Sequence, residues 1–171
     1  MEGTALTKDY LGDYFKQSEI FKEMGEILEK YKCKDYQVIA FYYDSPKKVE
    51  EGKLRSSIGL YKKNTMKTSP ESEELEKYCL QNGFKKHNLP MARSLYSSWE
   101  FFNITILLIG INKFNKIIGE KLKDASFKKL FKINEKEIKY FINLYDNVNK
   151  IIHFYIPTMN SDKFFIFEKD K

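Results

Sequence analysis

The sequence predicts an α+β fold in which duplicated strand-helix-strand-strand units form a curved antiparallel sheet with two long helices on one face. Three observations predict it. Ile20, Phe21, Met24, Ile27, Leu28 and Tyr31 recur at helical spacing, while Lys22, Glu23, Glu26, Glu29 and Lys30 fill the opposite face. A second long stretch, 102–122, again offers an apolar face through Ile106, Leu107, Ile109, Phe114, Ile117, Ile118 and Leu122. Each of these helices follows directly on a strand-like run and leads into a pair of them, so the order strand, long helix, strand, strand in the first half recurs in the second.

Taken in order, residues 4–10 read as a strand closed by Leu11-Gly12-Asp13-Tyr14. After the first helix, 36–43 and 54–61 read as strands separated by Asp44-Ser45-Pro46, because Asp and Ser nucleate turns and proline cannot donate to a ladder. Residues 62–68 are polar and read as a loop. Ser69-Pro70-Glu71 then announces a helix: a serine cap, proline at the first helical position, and acidic residues over the positive end. Asn82-Gly83 ends it. Strands follow at 84–89 and 91–99 on either side of Pro90. Within the second long helix Gly110 costs about 1 kcal/mol relative to alanine, which points to close packing there. Residues 138–145 and 151–156 read as a hairpin turning at Asp146-Asn147, and 164–167 as a terminal strand. The organisation is a single domain over 1–171: a first unit at about 4–61, a connecting loop and helix at about 62–83, and a second unit at about 84–167.

Composition narrows the function classes. The formal net charge is +6, but Arg55 and Arg93 are the only arginines, and the lysines are scattered along the chain. Base and phosphate recognition favours the bidentate guanidinium, so the charge reads as a solvated lysine surface and argues against a nucleic-acid partner. Cys33, Cys79, His87 and His153 are isolated in sequence, which predicts no metal site and two ordinary reduced thiols. The longest apolar run, 104–111, is far below the ~18 residues of a membrane span, and no secretory signal is visible. These readings predict a cytoplasmic chain. No phosphate loop, dinucleotide fingerprint, nucleophile elbow or HExxH occurs, and no cofactor is implied.

Phe41-Tyr42-Tyr43-Asp44-Ser45-Pro46 followed by Lys53-Leu54-Arg55-Ser56-Ser57-Ile58-Gly59 resembles the signature of the GyrI-like domain family. The nearer resemblance within it is to the domain of the animal testis-expressed ER-phagy receptor. It extends, in order, through Gly12-Asp13-Tyr14, Ser69-Pro70-Glu71, Asn82-Gly83-Phe84, Leu89-Pro90, Ile152-His153-Phe154 with Pro157, and Asp162-Lys163-Phe164-Phe165. The resemblance implies a small-molecule- or protein-binding domain without strong catalysis, or alternatively a hydrolase of cyclopropanoid or similar electrophilic small molecules; it also implies a place on the cytosolic face of the endoplasmic reticulum if an anchor has been removed.

Two departures bear on that choice. Family members carry a glutamate near the start of the penultimate strand, pointing into a central pocket in a Glu-x-Tyr context; here the triplet is Asn143-Leu144-Tyr145. Asparagine has no charge and is no proton acceptor at neutral pH, so neither cation binding nor acid-base catalysis follows from this position. Where a Gly-x-Tyr would open the second long helix, Trp99-Glu100-Phe101-Phe102 stands instead. Glu100 is the candidate catalytic carboxylate, or else an exposed residue at a helix start. Strand alternation places Phe141, Asn143 and Tyr145 on one face, expected to be an aromatic groove, and Tyr140, Ile142 and Leu144 on the other, expected to be core beneath the helices. The resemblance adds Tyr43, Trp99 and His153 to the groove. Aromatic walls with one amide suit a flat, amphipathic, mostly neutral small molecule, and the same surface suits a protein partner.

Overall fold

The computed structural model describes residues 2–46, 48–65, 67–90, 94–101, 103–131, 133 and 141–158. The terminal strand expected at 164–167, Arg93 and the first residues of the strands expected at 91–99 and 138–145 lie outside them. Among the described residues the chain is a mixed α+β structure with an open seven-stranded antiparallel sheet and four α-helices.

β1 (Gly3–Leu11) leads into a short 3-10 turn, Tyr14–Lys16, where the Asp13 side chain accepts from the Phe15 amide. α1 (Ser18–Lys30) follows and buries Met24 and Ile27, as its apolar spacing requires. β2 (Gln37–Tyr42) and β3 (Arg55–Lys63) are joined through a tightly tied turn. Its anchor is Asp44, whose carboxylate accepts from Arg55 Nε and Nη2 at 3.0 and 2.9 Å and from the Arg55 amide at 2.7 Å. The Tyr14 hydroxyl donates to the Arg55 carbonyl at 2.7 Å and accepts from the Asp44 amide at 3.0 Å, fixing the same turn from below.

α2 (Pro70–Gln81) begins where Ser69 Oγ accepts from the Ser72 amide at 3.2 Å. It ends in Gly83 at φ +82°, with the Phe84 amide donating back to the Cys79 carbonyl at 3.0 Å. β4 (Lys85–Leu89) and β5 (Ser94–Glu100) follow, then α3 (Ile104–Lys121), capped by Asn103 Oδ1 on the Ile106 amide at 3.0 Å. A short α4 (Ala125–Phe131) was not anticipated; Asp124 Oδ1 starts it by accepting from the Ser126 and Phe127 amides at 2.8 and 3.2 Å. β6 (Phe141–Asp146) and β7 (Ile151–Pro157) form the expected hairpin, over a wider turn than a two-residue one. Asp146 Oδ1 holds it through the Val148 and Asn149 amides, and Lys150 takes the left-handed conformation at φ +56°.

The strand order is β4-β1-β3-β2-β6-β7-β5. The half carrying β1-β3-β2 meets the half carrying β6-β7-β5 at the β2–β6 seam, each half in the same strand order outward in reverse. α2 and β4 are the addition on the first half. One face of the sheet packs Leu6, Val38, Ala40, Ile58, Leu60, Tyr145, Ile152 and Phe154 against Met24 and Ile27 of α1, Leu75 and Cys79 of α2, and Ile111 and Phe114 of α3. The opposite face buries a second apolar set: Ala5, Ile39, Phe41, Tyr43, Tyr61, Leu89, Ile142 and Leu144.

Candidate functional site

The pairing of residues on β6 follows the alternation, but the two sets face opposite to expectation. Tyr145 lies beneath α1, its ring edge-on to Phe21 with centroids 5.1 Å apart, and Asn143 and Phe141 share its side by alternation. Ile142 and Leu144, expected under the helices, join Ile39 and Phe41 on the other face. The physical reason is that both faces of this sheet are apolar. Period-two spacing fixes which residues travel together, not which side the helices take.

On the helix-bearing face the seam between the halves is polar. The Tyr42 and Tyr145 hydroxyls stand 3.4 Å apart, and Asn143 Nδ2 donates to the Tyr145 hydroxyl at 3.4 Å. Tyr14 meets the Tyr42 ring edge-on at 4.8 Å. Beside them Gln17 donates from Nε2 to Ser56 Oγ at 2.8 Å, while its buried Oε1 has no hydrogen-bond partner. Asn143 and Gln17 are 6% and 4% exposed. Hydroxyl hydrogen bonds centre near 2.7–2.8 Å, roughly, so contacts of 3.4 Å leave these groups weakly satisfied. Burial pushes the Tyr42 phenol well above its ordinary pKa, reinforced by Tyr145, and burial likewise raises Tyr145. Both are therefore neutral donors at physiological pH. The patch can hydrogen-bond an uncharged partner and carries no charge of its own.

The other residues expected in the groove divide between the two faces. Tyr43 belongs to the opposite face, where its hydroxyl donates to Ser57 Oγ at 3.1 Å and Ser57 Oγ donates to Asp9 Oδ1 at 2.6 Å. His153 also faces that way, with Nδ1 2.9 Å from the Tyr96 hydroxyl and the two rings stacked at 5.9 Å. Burial lowers the His153 pKa, with the negative charge of Asp146 working against it. Neither residue is brought to Asn143. Glu100, the candidate carboxylate, is an exposed residue at the end of β5, opposite Ile151 and on the other side of the strand from Trp99.

Trp99 does share the face of Tyr145: the register aligns Tyr145, Ile152 and Trp99 across β6, β7 and β5. Gly110 of α3 lies directly against its ring, so that a Cβ there would collide with the indole. Its Nε1 is buried without a hydrogen-bond partner, and Lys113 Nζ sits 5.2 Å above the ring. Here a cleft of about 630 Å3 opens between β5, α3 and α4. Phe114 and Phe154, stacked with centroids 4.2 Å apart and planes 9° from parallel, form part of its wall, with Phe127 and Phe131 at the far end. Apart from Trp99, none of these residues is a sequence-predicted site residue, because the cleft joins three separate elements. The one local signal was the run of apolar and lysine positions from 113 to 131.

Among the described residues no group of three or more His, Cys, Asp or Glu side chains could hold a metal ion. No helix described is long and apolar enough to cross a membrane. No protein-family model matches the chain, and no curated protein does. Among solved structures, it is similar to a hydrolase from Listeria innocua at 12% identity, covering 91% of this chain and 87% of that one with a TM-score of 0.46. An uncharacterized conserved protein from Listeria innocua is similar at 12% identity, with the same coverage and a TM-score of 0.47. At these values neither bears on what this chain does.

Proposed function

We propose that the chain is a GyrI-like binding domain, akin to that of the ER-phagy receptor, that holds a flat, uncharged, amphipathic small molecule at the seam between its halves. The observation that carries the reading is the under-satisfied, uncharged polar patch of Tyr42, Asn143, Tyr145 and Gln17 on an otherwise apolar face. A buried acceptor without a donor, beside two phenols at long range, is completed by a ligand offering its own donor and acceptor. Asn143 in place of the family's glutamate favours a neutral ligand over a cationic one. Against hydrolysis stand the same groups: phenols with raised pKa values offer even less phenolate at neutral pH than free tyrosine, and Glu100 projects from the other side of its strand.

Thermal denaturation against a panel of flat uncharged aromatic compounds tests this. The expected result is a dose-dependent rise in melting temperature that disappears in Asn143→Leu, which keeps the volume and removes the amide. No stabilisation by any compound removes the small-molecule reading and leaves a protein partner, sought by pull-down. Turnover of a cyclopropane-bearing alkylating compound would replace binding by hydrolysis.

A further inference from the structure

The cleft between β5, α3 and α4 lies away from the seam and differs from it chemically. It follows α3 from Gly110 to Lys121, roughly 16 Å at about 1.5 Å per residue. Its volume of about 630 Å3 falls within the roughly 300–1,000 Å3 of small-molecule sites. The walls are aromatic, yet Ile117 and Phe131 remain 56% and 37% exposed, leaving apolar surface for an occupant to cover.

Among the described residues the charged side chains lining this cleft have one sign: Lys113 and Lys121 line it, no carboxylate does, and neither ammonium is paired with one. Instead Lys113 stands over Trp99 and Lys121 over Phe127, at 5.2 and 5.8 Å from the ring centroids. Across α3 and α4, Lys113, Lys116, Lys121, Lys123, Lys128 and Lys129 face only Glu120 and Asp124 in sequence, so this segment supplies +4 of the net +6. Trp99 Nε1 adds a buried donor with no acceptor. An elongated apolar trough with ammonium groups at each end and an unused N–H complements one kind of small molecule.

We infer that this cleft binds a small amphipathic anion, its extended apolar tail on Trp99, Phe114 and Phe154 and its head held by Lys113 or Lys121. A cation is repelled by both lysines, and a neutral tail gains the apolar contacts alone.

The chain's single tryptophan is in the wall, so intrinsic fluorescence reads occupancy directly. The experiment titrates the whole chain with decanoate, decanol and decyltrimethylammonium, each below its micellar concentration, with calorimetry in parallel. Decanoate is expected to give a saturable change in Trp99 emission and to bind most tightly of the three. The double variant Lys113→Gln, Lys121→Gln, at two exposed positions, should weaken decanoate about tenfold and leave decanol unchanged. Equal or tighter binding of the cation, an unaltered decanoate affinity in the double variant, or no saturable response to decanoate would each overturn the inference. None of these results touches the neutral site at the seam, which answers to Asn143→Leu.

Discussion

At one end of the sheet β1 is flanked by β4 and accompanied by α2, whereas at the other, among the described residues, β5 is itself the edge and borders an open cleft. The covering helices differ in the same sense. α2 buries Leu75 and Cys79 completely, while α3 leaves Ile109 and Ile117 at 41% and 56% exposure. The two halves share a strand order, so the difference lies in what was added to one of them. Where α2 and β4 cover the repeat, Leu75 and Cys79 are closed core; at the other end no equivalent element occurs among the described residues, and the same architecture leaves aromatic surface for a ligand. An apolar face is thus read as core or as site according to the elements beside it.

The largest expected contrast comes from the two glycines in close contact. A Cβ on Gly59 would run into the backbone of Leu6 and Thr7 in β1, which cannot yield without breaking the ladder. Gly59→Ala should therefore cost about 3–4 kcal/mol in urea denaturation. In Gly110→Ala the methyl meets the Trp99 side chain, which borders open space, and alanine regains about 1 kcal/mol of helix propensity. A net loss near 1 kcal/mol with a shifted tryptophan emission is expected. Equal losses would mean that the edge half is as rigidly packed as the other.

A second pair compares the covering helices. Leu75→Ala removes a fully buried side chain of α2 and should cost about 3 kcal/mol, whereas Ile117→Ala on α3 should stay within about 0.5 kcal/mol. A large loss at Ile117 would show that the cleft wall is structural.

The effect that is smallest at neutral pH concerns the seam. Tyr42 and Tyr145 have pKa values raised in the folded state, so their contribution to stability is intact below the unfolded value of about 10 and is lost as pH rises beyond it. Alkaline titration of the unfolding free energy should fall with a slope of up to about 1.4 kcal/mol per pH unit for each tyrosine. Tyr42→Phe should reduce that slope. An unchanged slope would place the alkaline sensitivity elsewhere.

Much of the fold was legible because its signals are local. Ser69 and Pro70 start α2 and Gly83 stops it, and Gly110 pointed to close packing, which the Trp99 ring supplies. Short α4 escaped because seven residues are too few for a pattern to stand out; its legible marks were Asp124 in capping position and Phe127, Leu130 and Phe131 at helical spacing. The candidate site was harder to read. Phe141, Asn143 and Tyr145 do share a face, but which face the helices cover is a tertiary decision between two apolar surfaces. Tyr43 and His153 were assigned by resemblance, without spacing to test them, and lie on the other side. Lys113, Lys121 and Phe127 become neighbours of Trp99 through three elements that no sequence window spans.

Both cysteines sit in the closed half. Cys33 Sγ is 3.5 Å from Ser72 Oγ, and Cys79 is fully buried on α2, where burial pushes its thiol up to about 12. A thiol that is both shielded and protonated reacts with a disulfide reagent chiefly while its surroundings are transiently open. The chain therefore carries its own clock. The rate of thiol labelling measures how often α2 lifts from the sheet, and it is silent about breathing at the cleft, where neither cysteine stands.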